Sequence, residues 1–143
     1  MMLKRKILII GGNGFLGQGI LKATPKDKYE ISIVDQFFKK NNLKKYQIKH
    51  LFKCSILNNT KMNQILNKEK WDCIIYLAAF GGNGNGLLKA ANEDFSKAIN
   101  INVNAFANLL NILKTKKVRV IWSSSSLVFG EEKFYKIKKV KEN

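Results

Sequence analysis

The stretch Lys6-Ile7-Leu8-Ile9-Ile10-Gly11-Gly12-Asn13-Gly14-Phe15-Leu16-Gly17 decides how this sequence is read. Ile7 to Ile10 shows no polar alternation, so it reads as a strand covered on both faces, the pattern of a parallel sheet between helices. The run stops at glycines that satisfy two spacings at once, Gly11-x-x-Gly14-x-x-Gly17 and Gly12-x-Gly14-x-x-Gly17. Both spacings serve one physical purpose. One glycine makes a tight turn, a second lets backbone approach a pyrophosphate, and a third lets the next helix pack close to the strand. The first turn of that helix would aim unpaired N–H groups and a positive dipole end at phosphates.

Such a pattern gains meaning when it follows a strand, opens a helix and meets an acidic residue about 20 positions on. Glu30-Ile31-Ser32-Ile33-Val34-Asp35 supplies a second strand ending in a carboxylate 18 residues past Gly17. A carboxylate there accepts ribose hydroxyls and repels a 2′-phosphate, so the expected cofactor is NAD. Lys39 and Lys40, just downstream, could clamp a 2′-phosphate instead, which keeps NADP as the alternative.

Around this nucleus the chain has the size of one domain: 143 residues, 45% apolar and 10% aromatic, a composition that folds. No apolar run approaches the roughly 18 residues of a membrane helix, so a membrane protein is not expected. Cys54 and Cys73 lack metal-ligand spacing, so no metal is expected; they read as free thiols of a reducing compartment, and the expected localisation is cytoplasmic. The net charge of +16 comes from lysines scattered from end to end, which argues against a dedicated nucleic-acid interface. The one local cluster runs from Lys133 to Lys141 and interleaves Phe134 and Tyr135 with lysines.

A helix over 14–23 should end at Thr24-Pro25; Gly19 inside it costs about 1 kcal/mol against alanine, so close packing is expected there. Further strands are expected over 30–35, 48–52, 73–79 and 118–122. Helices are expected over 59–68, with Asn58 as its N-cap, and over 92–113, with Phe95, Ile99, Val103, Phe106, Leu109, Leu110 and Leu113 as its apolar face. The loop Gly81-Gly82-Asn83-Gly84-Asn85-Gly86 should line the substrate end of the sheet as a mobile loop, the alternative being a second phosphate cradle. Strands alternating with helices predict an α/β fold: a Rossmann-type, doubly wound parallel sheet in the order 3-2-1-4-5, with the ligand over the C-terminal ends of strands one and four. The expected domain is 1–130, followed by a polar, basic tail over 131–143.

Four blocks resemble the extended short-chain dehydrogenase/reductases, the NAD-dependent epimerase/dehydratase family. The glycine loop with its Phe15-Leu16 is one. Trp71-Asp72-Cys73-Ile74-Ile75-Tyr76-Leu77-Ala78-Ala79 is similar to D-x-V-x-H-L-A-A, with Tyr76 in place of His. Asn102-Val103-Asn104-Ala105-Phe106-Ala107-Asn108-Leu109-Leu110 is similar to N-V-x-G-T-x-N-L-L, departing at Ala105 and Phe106. Ser123-Ser124-Ser125-Ser126-Leu127-Val128-Phe129-Gly130 is similar to S-S-S-x-x-V-Y-G.

The resemblance implies site roles. Backbone at Asn13, Phe15 and Leu16, set by Gly11, Gly14 and Gly17, would hold the pyrophosphate, and Asp35 the adenosine ribose. Ser55, followed by Ile56, stands where the family carries an aspartate at the adenine. Leu77, Ala78 and Ala79 would pass beneath the cofactor, Asn102 would lie below the active site, and Ser125 would hydrogen-bond a substrate oxygen. The family's general base is the Tyr of a Tyr-x-x-x-Lys pair, its phenol acidified by the lysine. That pair is expected beyond Asn143, and Tyr135 with Lys139 would be a displaced version of it.

The implied function is an NAD-dependent epimerase, dehydratase or reductase of nucleotide sugars, of which this chain is the cofactor-binding half, ending before the catalytic helix and substrate domain. The alternatives are a catalytically silent NAD-binding module or partner-dependent fragment, and a dehydrogenase of a small sugar acid. The implied partners are the dinucleotide, a sugar nucleotide, and either a second copy meeting through the 92–113 helix or a complementing polypeptide.

Overall fold

Five apolar runs become five parallel strands in the computed structural model, which describes residues 3–38, 43, 45–81, 89 and 92–124. In chain order these are β1 (Arg5–Ile10), α1 (Phe15–Ala23), β2 (Tyr29–Asp35), β3 (Ile48–Lys53), α2 (Asn59–Lys68) and β4 (Cys73–Tyr76). Then come α3 (Phe95–Ile99), a π-helical turn (Asn100–Asn104), α4 (Ala105–Leu113) and β5 (Arg119–Trp122). The sheet order is β3-β2-β1-β4-β5, the predicted doubly wound topology. β1 sits between β2 and β4, with Ile10 opposite both Val34 and Tyr76.

The unbroken apolar runs have a simple cause. Successive side chains point to opposite faces, and each face meets helices. On one side Leu8, Ile10, Val34, Ile74 and Tyr76 pack with Met62, Ile65 and Leu66 of α2 and with Leu109 and Leu113 of α4. On the other, Ile9, Ile31 and Ile33 pack with Leu21 of α1 and with Leu43. Asn58 caps α2 as expected, its Oδ1 accepting the Lys61 N–H at 2.9 Å.

Three expectations are corrected. The strand anticipated over 73–79 ends at Tyr76, and on the α1 side its Cys73 and Ile75 are only partly buried, because α1 lies over β1 and β2. Beyond them Ile121 of β5 is 47% exposed, and among the described residues β5 pairs with β4 alone. The helix anticipated over 92–113 is interrupted: Asp94 caps α3, and the π turn inserts an extra residue between α3 and α4. Apolar residues before and after that turn no longer share one face, so Leu109 and Leu113 are core while Phe95, Ile99 and Val103 are exposed; Leu110, one position past Leu109 on α4, is exposed as well. Gly19, expected in close packing, has open space where a Cβ would stand.

Ser125, Tyr135, Lys139, Lys39 and Lys40 lie outside the described residues, as do the tail over 131–143, its boundary at 130 and residues 82–86 of the glycine-rich loop. No helix among the described residues is long and apolar enough to cross a membrane. Cys54 and Cys73 are free, and no described group of three or more His, Cys, Asp or Glu side chains is placed to hold a metal ion.

Candidate dinucleotide-binding site

With every strand parallel, the C-terminal ends of β1, β2, β4 and β5 share one edge of the sheet, and the glycine loop lies along it. Gly11 leaves β1 with φ +81°, in the left-handed region, and a Cβ on it would stand 2.8 Å from the Ala78 nitrogen. The chain therefore turns tightly while almost touching the end of β4. The contact is fixed by the Leu77 N–H donating to Ile10 O at 2.8 Å and the Gly11 N–H donating to Val34 O at 2.8 Å. Gly17 makes the second close approach: a Cβ there would stand 2.6 Å from the Gly12 Cα. Thus the first turn of α1 rests directly on the loop.

That turn begins without a side-chain cap at Gly14. The first N–H satisfied within the turn is that of Gln18, donating to Gly14 O at 3.0 Å. The N–H groups of Phe15, Leu16 and Gly17 have no acceptor among the described residues, the usual state of a helix start that meets an anion from outside.

Asp35 stands beside this turn and is tied to it. Its Oδ2 accepts the Asn13 N–H at 3.0 Å and its Oδ1 accepts the Phe37 N–H at 3.2 Å. The Asn13 N–H, grouped with the pyrophosphate donors on sequence grounds, is thus directed to Asp35, while those of Phe15 and Leu16 have no acceptor among the described residues. The Asn13 side chain extends the tie: its Nδ2 donates to Phe37 O at 2.7 Å, and its backbone carbonyl accepts from Gln18 Nε2 at 3.0 Å. Its Oδ1 is buried and has no partner among the described residues. The side chains of Asn13 and Gln18 were not picked out from sequence, where Asn13 counted only for its backbone. The available signal was an amide-bearing residue between glycines, a type that hydrogen-bonds locally in turns.

The rest of the edge is built from three loops. After β4, Leu77 and Ala78 are partly buried and Ala79 is exposed, and the Phe80 N–H donates to Asn102 Oδ1 at 2.7 Å. The π turn thereby brings Asn102 onto the loop that follows β4. After β3, Ser55 shapes the turn into α2, its Oγ accepting the Leu57 N–H at 3.3 Å and its carbonyl accepting the Asn58 N–H at 3.0 Å, while Ile56 packs on the core. After β5, the exposed Ser123 and Ser124 emerge at the same edge. Tyr76 does not reach this edge: its hydroxyl donates to Ile101 O at 3.5 Å, and burial pushes the phenol up to about 12, so it stays neutral.

Residues 7–142 match the family described as NAD dependent epimerase/dehydratase family. The chain belongs to the NAD-dependent epimerase/dehydratase family. A curated relative, the UDP-N-acetyl-alpha-D-glucosaminuronate decarboxylase of Bacillus cytotoxicus, is 28% identical over 132 residues, covering 90% of this chain and 39% of that protein. Among solved structures, a UDP-N-acetylglucosamine 4-epimerase from Methanobrevibacter ruminantium superposes with a TM-score of 0.76 at 24% identity, covering 96% of this chain and 43% of the other. The ADP-L-glycero-D-manno-heptose-6-epimerase of Helicobacter pylori gives 0.70 at 25% identity over 96% and 43%. This family member therefore spans about two fifths of the length of the relatives it matches.

The residues present fit a nicotinamide dinucleotide. The loop is closed to any side chain at Gly11 and Gly17, the N–H donors of Phe15 and Leu16 have no acceptor among the described residues, and an oriented carboxylate stands beside them at Asp35.

Proposed function

We propose that this chain holds NAD as the cofactor-binding part of an epimerase, dehydratase or related oxidoreductase acting on a nucleotide sugar. The observation that carries the reading is the pairing of unpaired N–H groups at the start of α1 with an Asp35 carboxylate fixed by Asn13 and Phe37. When bound, the nicotinamide supplies a hydride acceptor and donor. Phe15 and Leu16 hold the pyrophosphate through backbone N–H groups. Asp35 uses its remaining lone pairs on the ribose hydroxyls, and its charge disfavours the 2′-phosphate of NADP. Asn13 keeps that carboxylate in place. Ser55 takes the position beside adenine with a hydroxyl, and Asn102, through Phe80, fixes the backbone of Leu77 to Ala79 below the cofactor. Ser125, the residue after Ser124 in sequence, hydrogen-bonds a substrate oxygen, and the Tyr of a Tyr-x-x-x-Lys pair moves its proton, Tyr135 with Lys139 being the pair of that spacing within these 143 residues.

The second reading, a silent NAD-binding module that works with a partner, is favoured by large apolar side chains left exposed around the π turn and on β5. Its partner would cover Ile99, Val103, Leu110 and Trp122, four exposed apolar side chains that would otherwise face water. Calorimetric titration with NAD and NADP tests the core of both readings. NAD should bind more tightly than NADP, and Asp35→Ala should weaken NAD at least about tenfold and narrow that preference. Binding indifferent to Asp35→Ala, or no binding of either nucleotide, would overturn the proposal. NAD binding without turnover of nucleotide sugars, unchanged in Tyr135→Phe, would select the silent module.

A further inference from the structure

At the opposite end of the sheet from the glycine loop, the C-terminal ends of α2 and α4 enclose a cleft of about 330 Å³. Its floor is Leu66, Trp71, Ile74 and Leu113, all buried. The volume lies at the low end of the range for small-molecule pockets, and the chemistry is of the usual kind, an apolar floor with a few polar groups at the mouth. Those groups are mostly cationic: Lys70, Lys116 and Lys117 stand at the rim. Lys116 is held in position, its Nζ donating to Asn67 Oδ1 at 2.6 Å, which leaves two of its N–H groups to give. The one acid in the lining, Glu69, is engaged elsewhere, with Lys6 at 2.7 Å, Lys49 at 3.1 Å and His50 at 2.9 Å.

Lysines near a helix C-terminus complement its dipole wherever they occur. What distinguishes these is the apolar cavity beneath them. We propose that the cleft binds a small amphipathic carboxylate, its hydrocarbon part against Trp71, Leu66 and Leu113 and its charge on Lys116 and Lys117. The two requirements select against the other occupants. A cationic ligand, the Lys133 to Lys141 segment included, meets like charge at the mouth. A bare phosphate gains nothing from the floor, and a neutral hydrocarbon gains nothing from the rim.

The full-length chain and octanoate provide the test, read at the indole N–H of Trp71, which donates to Ile65 O at 3.3 Å. Trp122, 58% exposed at the far end of the sheet, is the internal reference. Octanoate should shift the Trp71 resonance saturably, with a Kd of about 1 mM or tighter, and leave Trp122 unmoved. Octan-1-ol and octylammonium should bind at least about tenfold more weakly. The Lys116→Gln/Lys117→Gln double variant should lose about tenfold in octanoate affinity while keeping its melting temperature and its response to NAD. Equal binding of octan-1-ol, a comparable shift at Trp122, the absence of saturation, or an unchanged double variant would each overturn the assignment.

Discussion

The two ends of the sheet use their polar groups in opposite ways. At the N-terminal end the charged groups on β1, β2 and β3 satisfy one another. Glu69, its side chain only 11% exposed, bridges Lys6 of β1 with Lys49 and His50 of β3; Lys49 also reaches Glu30 of β2 at 2.7 Å, and Asp72 accepts the Lys6 N–H at 2.7 Å. At the C-terminal end the glycine loop is tied to β2 through Asn13, Asp35 and Phe37, and the N–H groups at the start of α1 have no acceptor among the described residues. The difference follows from parallel strands. All helix starts that follow strands fall at one edge, so that edge accumulates unpaired donors, while the other can be closed by side chains. A network that satisfies itself supports the fold; donors without acceptors await something from outside.

Gly17→Ala strikes the open end hardest. The new Cβ would overlap the backbone of Gly12, and backbone at both positions must move. Overpacking of this kind costs about 1–3 kcal/mol, offset by about 1 kcal/mol of helix propensity; with the contact falling on backbone that cannot swing aside, the upper end applies and a net loss of up to about 2 kcal/mol is expected in chemical denaturation. Because the displaced turn carries the Phe15 and Leu16 N–H groups, NAD affinity should fall with it. Unchanged stability in this variant would mean that loop and helix do not rest on each other.

Glu69→Gln probes the closed end. The hydrogen bond from the Lys6 ammonium first, then those from the Lys49 ammonium and the His50 ring, hold the Glu69 carboxyl well below its ordinary 4.5, at about 2. A lowered carboxylate pKa contributes stability above the ordinary value and loses it as pH falls from about 4.5 toward 2. The lysines are about one third exposed, so solvent screening reduces the contribution to about 1–2 kcal/mol at neutral pH. Thermal melts should show that gap between wild type and variant at pH 7 and its closing below pH 4, with NAD binding unaffected throughout. A gap that persists at low pH would break the contrast between the two ends.

The sheet was legible because its evidence is local: an apolar run, a glycine cluster and an acid at fixed spacing dictate strand, turn and a carboxylate beside that turn within 35 residues. The order β3-β2-β1-β4-β5 followed from handed crossovers alone. The interrupted 92–113 helix was not legible, since its apolar residues fit an unbroken period. Only the pull of Asn102 on the Phe80 N–H and the inserted residue reveal that two short helices meet at a π turn. The side-chain ties of Asn13 were hidden for a related reason. A glycine motif announces where backbone must come close, and says nothing of which neighbouring amide will hold an acid in place. Likewise Glu69 looks like any helix-end charge until β1 and β3 bring Lys6 and His50 to it.

Gly19 gives the smallest effect and the sharpest control. It lies two residues from Gly17 in the same helix, yet a Cβ on it would meet nothing within 4 Å. Its neighbours on the outer side of α1, Phe15, Ala23 and Tyr46, surround an open hollow. With no clash to oppose it, Gly19→Ala should follow helix propensity alone and raise stability by about 0.5–1 kcal/mol, with NAD affinity unchanged. The pair of alanine variants should therefore move the denaturation midpoint in opposite directions. If Gly19→Ala instead destabilised the full-length chain, some other surface must occupy that hollow. The exposure of Phe15, at 93%, would then mark the edge of a contact rather than a side chain left in water.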